Sequence, residues 1–321
     1  VRSLPLVVAC LLVSPLHAAT FTVTATNDRR DAAPGDGVCD TGRGRCTLRA
    51  AVEEANALGG DNAIVLPAGR FALTLKGLDA DAHAGDLDVL GTLTITGAGA
   101  GATVIDASKA KDRAFQVLQG GSLDLSGVTI RGGRVKGRDV GGGGISVEGT
   151  LALHDAVITG CRSDDDAGAI DVQEGTVALT DVKLVRNRAG DDGGAMDVDV
   201  GRVTMLRVVI ARNRAADEGG GFENSGGDVT LHQVKIAGNR ATTDAGGISI
   251  EDGATTLIDG CTITHNRAKR GGGLFTDDTV RGANTTVVSG TTLHGNKNGD
   301  CDGALVDGGG NVGDATCGFQ P

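Results

Sequence analysis

The sequence predicts an all-β fold: a parallel β-helix of stacked coils with a short helix capping its N-terminal end. Three observations predict it. From Leu151 onward the chain repeats every 26 residues, so that segments starting at Leu151, Val177, Val203, Val229 and Thr255 align, with one extra residue in the last. Within a segment apolar residues recur two apart, as in Val177 and Leu179 or Ile248 and Ile250, which places them on one face of a strand and not of a helix. Glycine, at 54 of 321 residues, is far above the usual level of about 7% and gathers between the strands. A fixed period of this size means repeats that bury their apolar faces only by stacking on one another.

Aligned files define the coil. Leu153, Leu179, Met205, Leu231 and Leu257 are expected to form one inward file. Ile158, Leu184, Ile210, Ile236 and Ile263 form a second, and Ile170, Met196, Phe222, Ile248 and Leu274 a third. Short strands between turns could also make hairpins, but identity along whole files predicts like residues stacked at the ~4.8 Å strand spacing. Asn187, Asn213, Asn239 and Asn266 share one turn file, with Cys161 one coil earlier. Asn tolerates a left-handed turn, and stacked amides can bond one another. Gly168, Gly194, Gly220, Gly246 and Gly272 fill another file, read as turn positions of positive φ that admit no Cβ. Both files are structural readings. With no Trp or Tyr, the core must be built from Val, Ile, Leu and Ala.

At the front, residues 1–19 read as a secretory signal peptide. Arg2 precedes the run Leu4 to Leu16, and Ala18 and Ala19 offer a cleavage site,. The run is short and interrupted by Pro5 and Pro15, unlike a membrane span. The expected location is secreted, extracellular or outer-membrane associated. Cys10 lies inside the run rather than at its end, against lipid attachment. Export implies an oxidising compartment, so Cys39 with Cys46, and Cys301 with Cys317, are expected disulfides. Cys261 shares the file of Val182, Val208 and Val234 and reads as a buried free thiol. No spacing is that of a zinc site. Residues 20–61 form an N-terminal cap whose helix runs over 47–57: Thr47 caps it, and Leu48, Ala51, Val52 and Ala55 share a face,. Such a helix covers the open strand edge of a solenoid. Residues 62–150 are less regular coils, 151–299 regular coils and 300–321 a disulfide-closed tail, giving roughly eight to nine coils in an expected monomer.

The segment Cys46-Thr47-Leu48-Arg49-Ala50-Ala51, after Pro34-Gly35-Asp36-Gly37-Val38-Cys39 and before Ala55-Asn56-Ala57, resembles the CSLREA motif of bacterial secreted β-helix proteins. It departs from that motif at Thr47 and Ala50. The Gly-Gly-Ile and Asn-Arg-Ala repeats resemble those of polymorphic outer-membrane proteins. The tail from Asn311-Val312-Gly313 to Cys317-Gly318-Phe319 is similar to a choice-of-anchor segment. The resemblance implies a right-handed, pectate-lyase-like β-helix that is exported, and implies little about activity.

Acidic residues are also filed. Asp166, Asp192, Glu218 and Asp244 precede the glycines, followed in the next coil by Arg270. Asp165, Asp191 and Asp217 run beside them, and Asp171, Asp197 and Glu223 follow on the next strand. Stacked carboxylates repel by about 1 kcal/mol each in water, so something must offset them. One reading is a solvated ion-pair ladder with Arg162, Arg188, Arg214, Arg240 and Arg267,. The other is Ca²⁺, a hard cation, held by Asp166, Asp192, Asp197, Glu218 and Glu223,. Two functions stay open: a non-catalytic, adhesin-like or carbohydrate-binding scaffold for polysaccharide or cell-surface components, and a calcium-assisted lyase acting on an acidic polysaccharide. The pectate lyase and polygalacturonase signatures and the calcium-binding Gly-Gly-x-Gly-x-Asp nonapeptide have no counterpart. His154 and His232 share a file, while His265 and His294 stand alone. No Ser-His-Asp set, phosphate loop or dinucleotide fingerprint is visible. A net charge of −11 with 2% aromatics argues against nucleic acid as a partner.

Overall fold

A computed structural model describes residues 18–77, 80–137, 140–277 and 284–319. The signal-peptide reading falls outside these residues except for Ala18 and Ala19. Each regular coil gives three short strands, such as Ile170–Val172, Thr176–Thr180 and Lys183–Val185. They stack in chain order into three parallel sheets, one of eleven strands and two of nine. The result is an all-β parallel β-helix of about nine turns. The less regular coils before residue 150 belong to the same sheets: Asp61–Leu66, Thr92–Gly97 and Ser122–Ser126 pair successively. Their irregularity lies in the turns.

The expected stacking holds. Leu179, Met205 and Leu231 are successive partners in register and fully buried. The file then departs from expectation: Leu231 pairs with Ile258, and Leu257 points outward, 42% exposed. The extra residue therefore enters before Thr255, in the turn carrying Asp252 and Gly253, both of positive φ. Because side chains alternate, a one-residue shift exchanges inside for outside.

The glycine file also has a different cause from the one expected. Positive φ belongs to the preceding residue, at Ala167 (52°), Gly193 (61°), Gly219 (54°), Ala245 (48°) and Gly271 (47°). The second position is glycine because of a close approach. A Cβ on Gly220 would lie 2.4 Å from the Arg240 carbonyl carbon, and one on Gly246 2.2 Å from the Arg267 nitrogen. Nor are the ladder asparagines left-handed; that role falls to the residues before them, Arg186, Arg212, Gly238 and His265. The amides do stack. Each Nδ2 donates to the next Oδ1, from Asn187 through Asn213, Asn239 and Asn266 to Asn296, at 3.0–3.3 Å. Each Oδ1 also accepts the backbone N–H one coil earlier, beginning at Cys161. The run ends where Asn296 donates to Asp300.

The helix, Leu48–Leu58, has Thr47 accepting from the Ala50 N–H. Its charged residues face inward. Arg49 is fully buried, bonding Asp28 at 2.7 Å and the carbonyls of Ala82, Gly85 and Asp86. Glu54 accepts from the N–H groups of Gly35 and Gly37, holding the loop before the first disulfide. The disulfides are Cys39–Cys46 and Cys301–Cys317, and Cys161 and Cys261 are free and buried. Among the described residues no helix is long and apolar enough to cross a membrane.

Candidate functional site

The acidic residues lie on the nine-stranded sheet that contains Ile170–Val172 and on the turn that leads into it. Its outward file reads Asp88, Gln116, Ser146, Asp171, then Asp197, Glu223, Ser249, Phe275 and Asp302. In most sheets such a file would meet solvent. Here the left-handed turn folds back over it: a Cβ on Gly193 or Gly219 would lie 2.9 Å from the Cβ of Asp197 or Glu223. Asp171, Asp197 and Glu223 are therefore only 3%, 5% and 7% exposed. The turn acids Asp166, Asp192 and Glu218 are half-buried.

Hydrogen bonds satisfy these groups only in part. Asp166 Oδ1 accepts the N–H of Asp192 at 3.0 Å, and Asp192 Oδ1 that of Glu218 at 2.6 Å. Asp171 accepts from the Gln173 amide, and Asp197 from the Val198 N–H. Ser249 Oγ lies between the carboxylates of Glu218 and Glu251. Glu223 Oε2 is buried without a hydrogen-bond partner.

Burial, reinforced by neighbouring carboxylates, raises the pKa values. Asp171 and Asp192 are pushed up to about 7, Asp166 to about 6 and Glu218 to about 9. Asp197 and Glu223 go well above the usual range for the same reason.

The expected ion-pair ladder does not form. Arg162, Arg188, Arg214, Arg240 and Arg267 stack backbone to backbone and are exposed. Among the described residues none makes an ion pair with Asp166, Asp192, Glu218, Asp171, Asp197 or Glu223. The cation that does join the file is Arg270, which grips Asp244 through two nitrogens at 2.7 and 2.5 Å.

Three carboxylate sets bring oxygens within 4.8 Å of one another: Asp171 with Asp197 and Asp199; Asp165 with Asp166 and Asp191; and Asp191 with Asp192 and Asp217. Of the five candidate ligands, Asp166, Asp192 and Asp197 fall in these sets, whereas Glu218 and Glu223 lie beside them. Asp199 was missed from the sequence, although Asp-Val-Asp-Val at 197–200 carries its signal: period two puts 197 and 199 on one face.

Histidine grouping also emerges only in space. The rings of His265 and His294 meet edge to face at 5.6 Å. His232 Nδ1 lies 2.7 Å from Asp259, which also accepts from Ser289 Oγ. In that trio the carboxylate sits between serine and imidazole, so the imidazole cannot take the serine proton as a triad requires.

The family model described as a right-handed beta helix region matches residues 93–312. The chain belongs to this family. No curated protein sequence matches this right-handed β-helix chain. Among solved structures it is similar to the A-module of Azotobacter vinelandii mannuronan C-5 epimerase AlgE6, at 14% identity and TM-score 0.35, covering 89% of this chain and 99% of that one. The AlgE4 A-module of the same organism gives 15% identity and TM-score 0.37, covering 94% and 97%. The catalytic unit of the GH87 alpha-1,3-glucanase from Streptomyces thermodiastaticus gives 14% and 0.31, covering 92% and 71%.

Proposed function

We propose that this right-handed β-helix is a secreted, non-catalytic scaffold whose coils are tied together by Ca²⁺ in the acidic file, and which presents its outer surface to polysaccharide or other cell-surface components. One observation carries the metal reading: the buried, unpartnered Glu223 oxygen beside the set of Asp171, Asp197 and Asp199. A buried polar oxygen left unpaired costs about 1–3 kcal/mol, and stacked buried carboxylates add to that cost. A cation would offset both. The donors are all oxygens, which suits a hard ion of flexible geometry.

The same burial favours a structural over a catalytic role. A lyase needs its carboxylates open to the sugar chain, and the turn covers Asp171, Asp197 and Glu223.

Calcium titration tests this reading. Wild-type protein should melt at a higher temperature in calcium, with a smaller gain in magnesium. Asp197→Asn should abolish the gain, and the exposed Asp228→Asn should keep it. A wild-type melting temperature indifferent to calcium would overturn the metal reading. Unsaturated product absorbing in the ultraviolet on polyuronates would replace the scaffold with the lyase.

A further inference from the structure

The acidic character of this chain is unevenly spread. Although the net charge is −11, the cavities of the first coils are lined by cations. They join into one furrow. A cavity of about 550 Å³ holds Arg29, Arg43 and Arg45, and shares Arg29 and Thr41 with one of about 740 Å³. The latter shares Thr74 with a cavity of about 480 Å³ that holds Lys76, Lys109 and Lys111. This in turn meets, at Ser108, a cavity of about 320 Å³ between Arg70 and Arg131.

The last cavity is preorganised. Asp106, 2% exposed on its side chain, holds Arg70 at 2.5 Å and Arg131 at 2.7 Å while those side chains stay 56% and 42% exposed. One carboxylate fixes two guanidiniums, leaving a net positive charge in a set position. By contrast Arg29, Arg43, Arg45, Lys76, Lys109 and Lys111 are exposed and make no ion pair among the described residues. Surface cations are usually interspersed with acids. Six unpaired ones along a connected furrow, in an acidic protein, focus a positive field on whatever lies there.

We propose that this furrow is the docking surface for an anionic polysaccharide, an extended chain of uronate sugars lying across the first coils. A row of cations spaced along a shallow path matches a ligand with a carboxylate on each residue. Asn27, Thr41, Thr74 and Ser108 between the cations can bond sugar hydroxyls. No lining residue is aromatic, so the stacking platform that single-stranded nucleic acid requires is missing. The inference names a partner for the scaffold proposed above and does not depend on its calcium site.

The test uses the full chain in EDTA, which removes any calcium contribution, with polygalacturonate oligosaccharides as probe. Binding is expected, falling at least tenfold as salt rises from about 0.05 M to about 0.5 M, because screening shortens the reach of exposed charges. Dextran, which is neutral, should not bind. The triple variant Lys76→Glu, Lys109→Glu, Lys111→Glu and the double variant Arg43→Glu, Arg45→Glu should each weaken binding at least tenfold, with melting temperatures near wild type showing that they fold. Unchanged affinity in both variants would overturn the proposal, as would tighter binding of single-stranded DNA of equal charge. Unsaturated product in parallel samples with calcium in place of EDTA would overturn the non-catalytic reading alone and leave the furrow standing.

Discussion

Gly220 and Ala245 sit at adjacent steps of the same turn in successive coils and have opposite needs. Gly220 needs no special backbone angle; it needs absence of bulk against Arg240. Ala245 carries a Cβ and is held at φ 48°, where that Cβ costs about 1–2 kcal/mol. Gly220→Ala is therefore expected to destabilise by roughly 3 kcal/mol as overpacking against backbone. Ala245→Gly should stabilise by about 1 kcal/mol, both read as shifts in urea midpoint. The glycine file was legible in the sequence, but its cause was not, because shared identity does not say whether a dihedral or a neighbour demands it. Asp197→Asn carries a signed expectation as well. In metal-free protein at neutral pH it should raise the melting temperature, because burial lifts the Asp197 pKa and folding must return to that carboxyl a proton the unfolded chain has released, while abolishing the response to calcium.

At the scale of the element, the amide ladder and the helix cap depend on buried polar groups with full sets of partners. Asn239 accepts from Asn213 and donates to Asn266 and to the Ile210 carbonyl. Asn239→Ala leaves these groups unpaired in the interior, at about 1–3 kcal/mol each, so a loss of at least about 3 kcal/mol by chemical denaturation is expected. Arg49→Lys tests the cap. A lysine keeps the charge but cannot reach Asp28 and three carbonyls at once, and breaking a buried pair costs about 3–5 kcal/mol. The strands, ladder and helix were legible because local periodicity and capping fix them. Leu257 was misplaced because an insertion can sit on either side of a strand without disturbing the neighbouring pattern, and only pairing decides.

For the whole molecule, the path of one turn decides what the acids can do. Sequence periodicity identified Asp171, Asp197 and Glu223 as outward, which they are, but could not reveal that the turn covers them. That burial links stability to pH. Asp171 and Asp192 are pushed up to about 7 and Asp166 to about 6, so the folded chain keeps protons that the unfolded chain, with carboxylates near about 4, releases. The contribution of these groups is full below about pH 4 and is lost as pH rises through about 6–7. Melting of metal-free protein should thus fall between about pH 5 and about pH 7.5, and calcium at neutral pH should restore it. A melting temperature rising across that interval without metal would contradict the assignment.

Register has a consequence for how such a molecule can change length. Val203 pairs with Val229 in the same face position, so excising Val203–Asp228 would splice Arg202 to a residue equivalent to the one it lost. The three sheets would close up without any side chain changing sides, leaving a cylinder shorter by about 4.8 Å. Duplication of the same segment would lengthen it by as much, whereas cutting an odd number of residues would turn the lining outward. Growth and loss in whole rungs is the evolutionary route that this architecture leaves open.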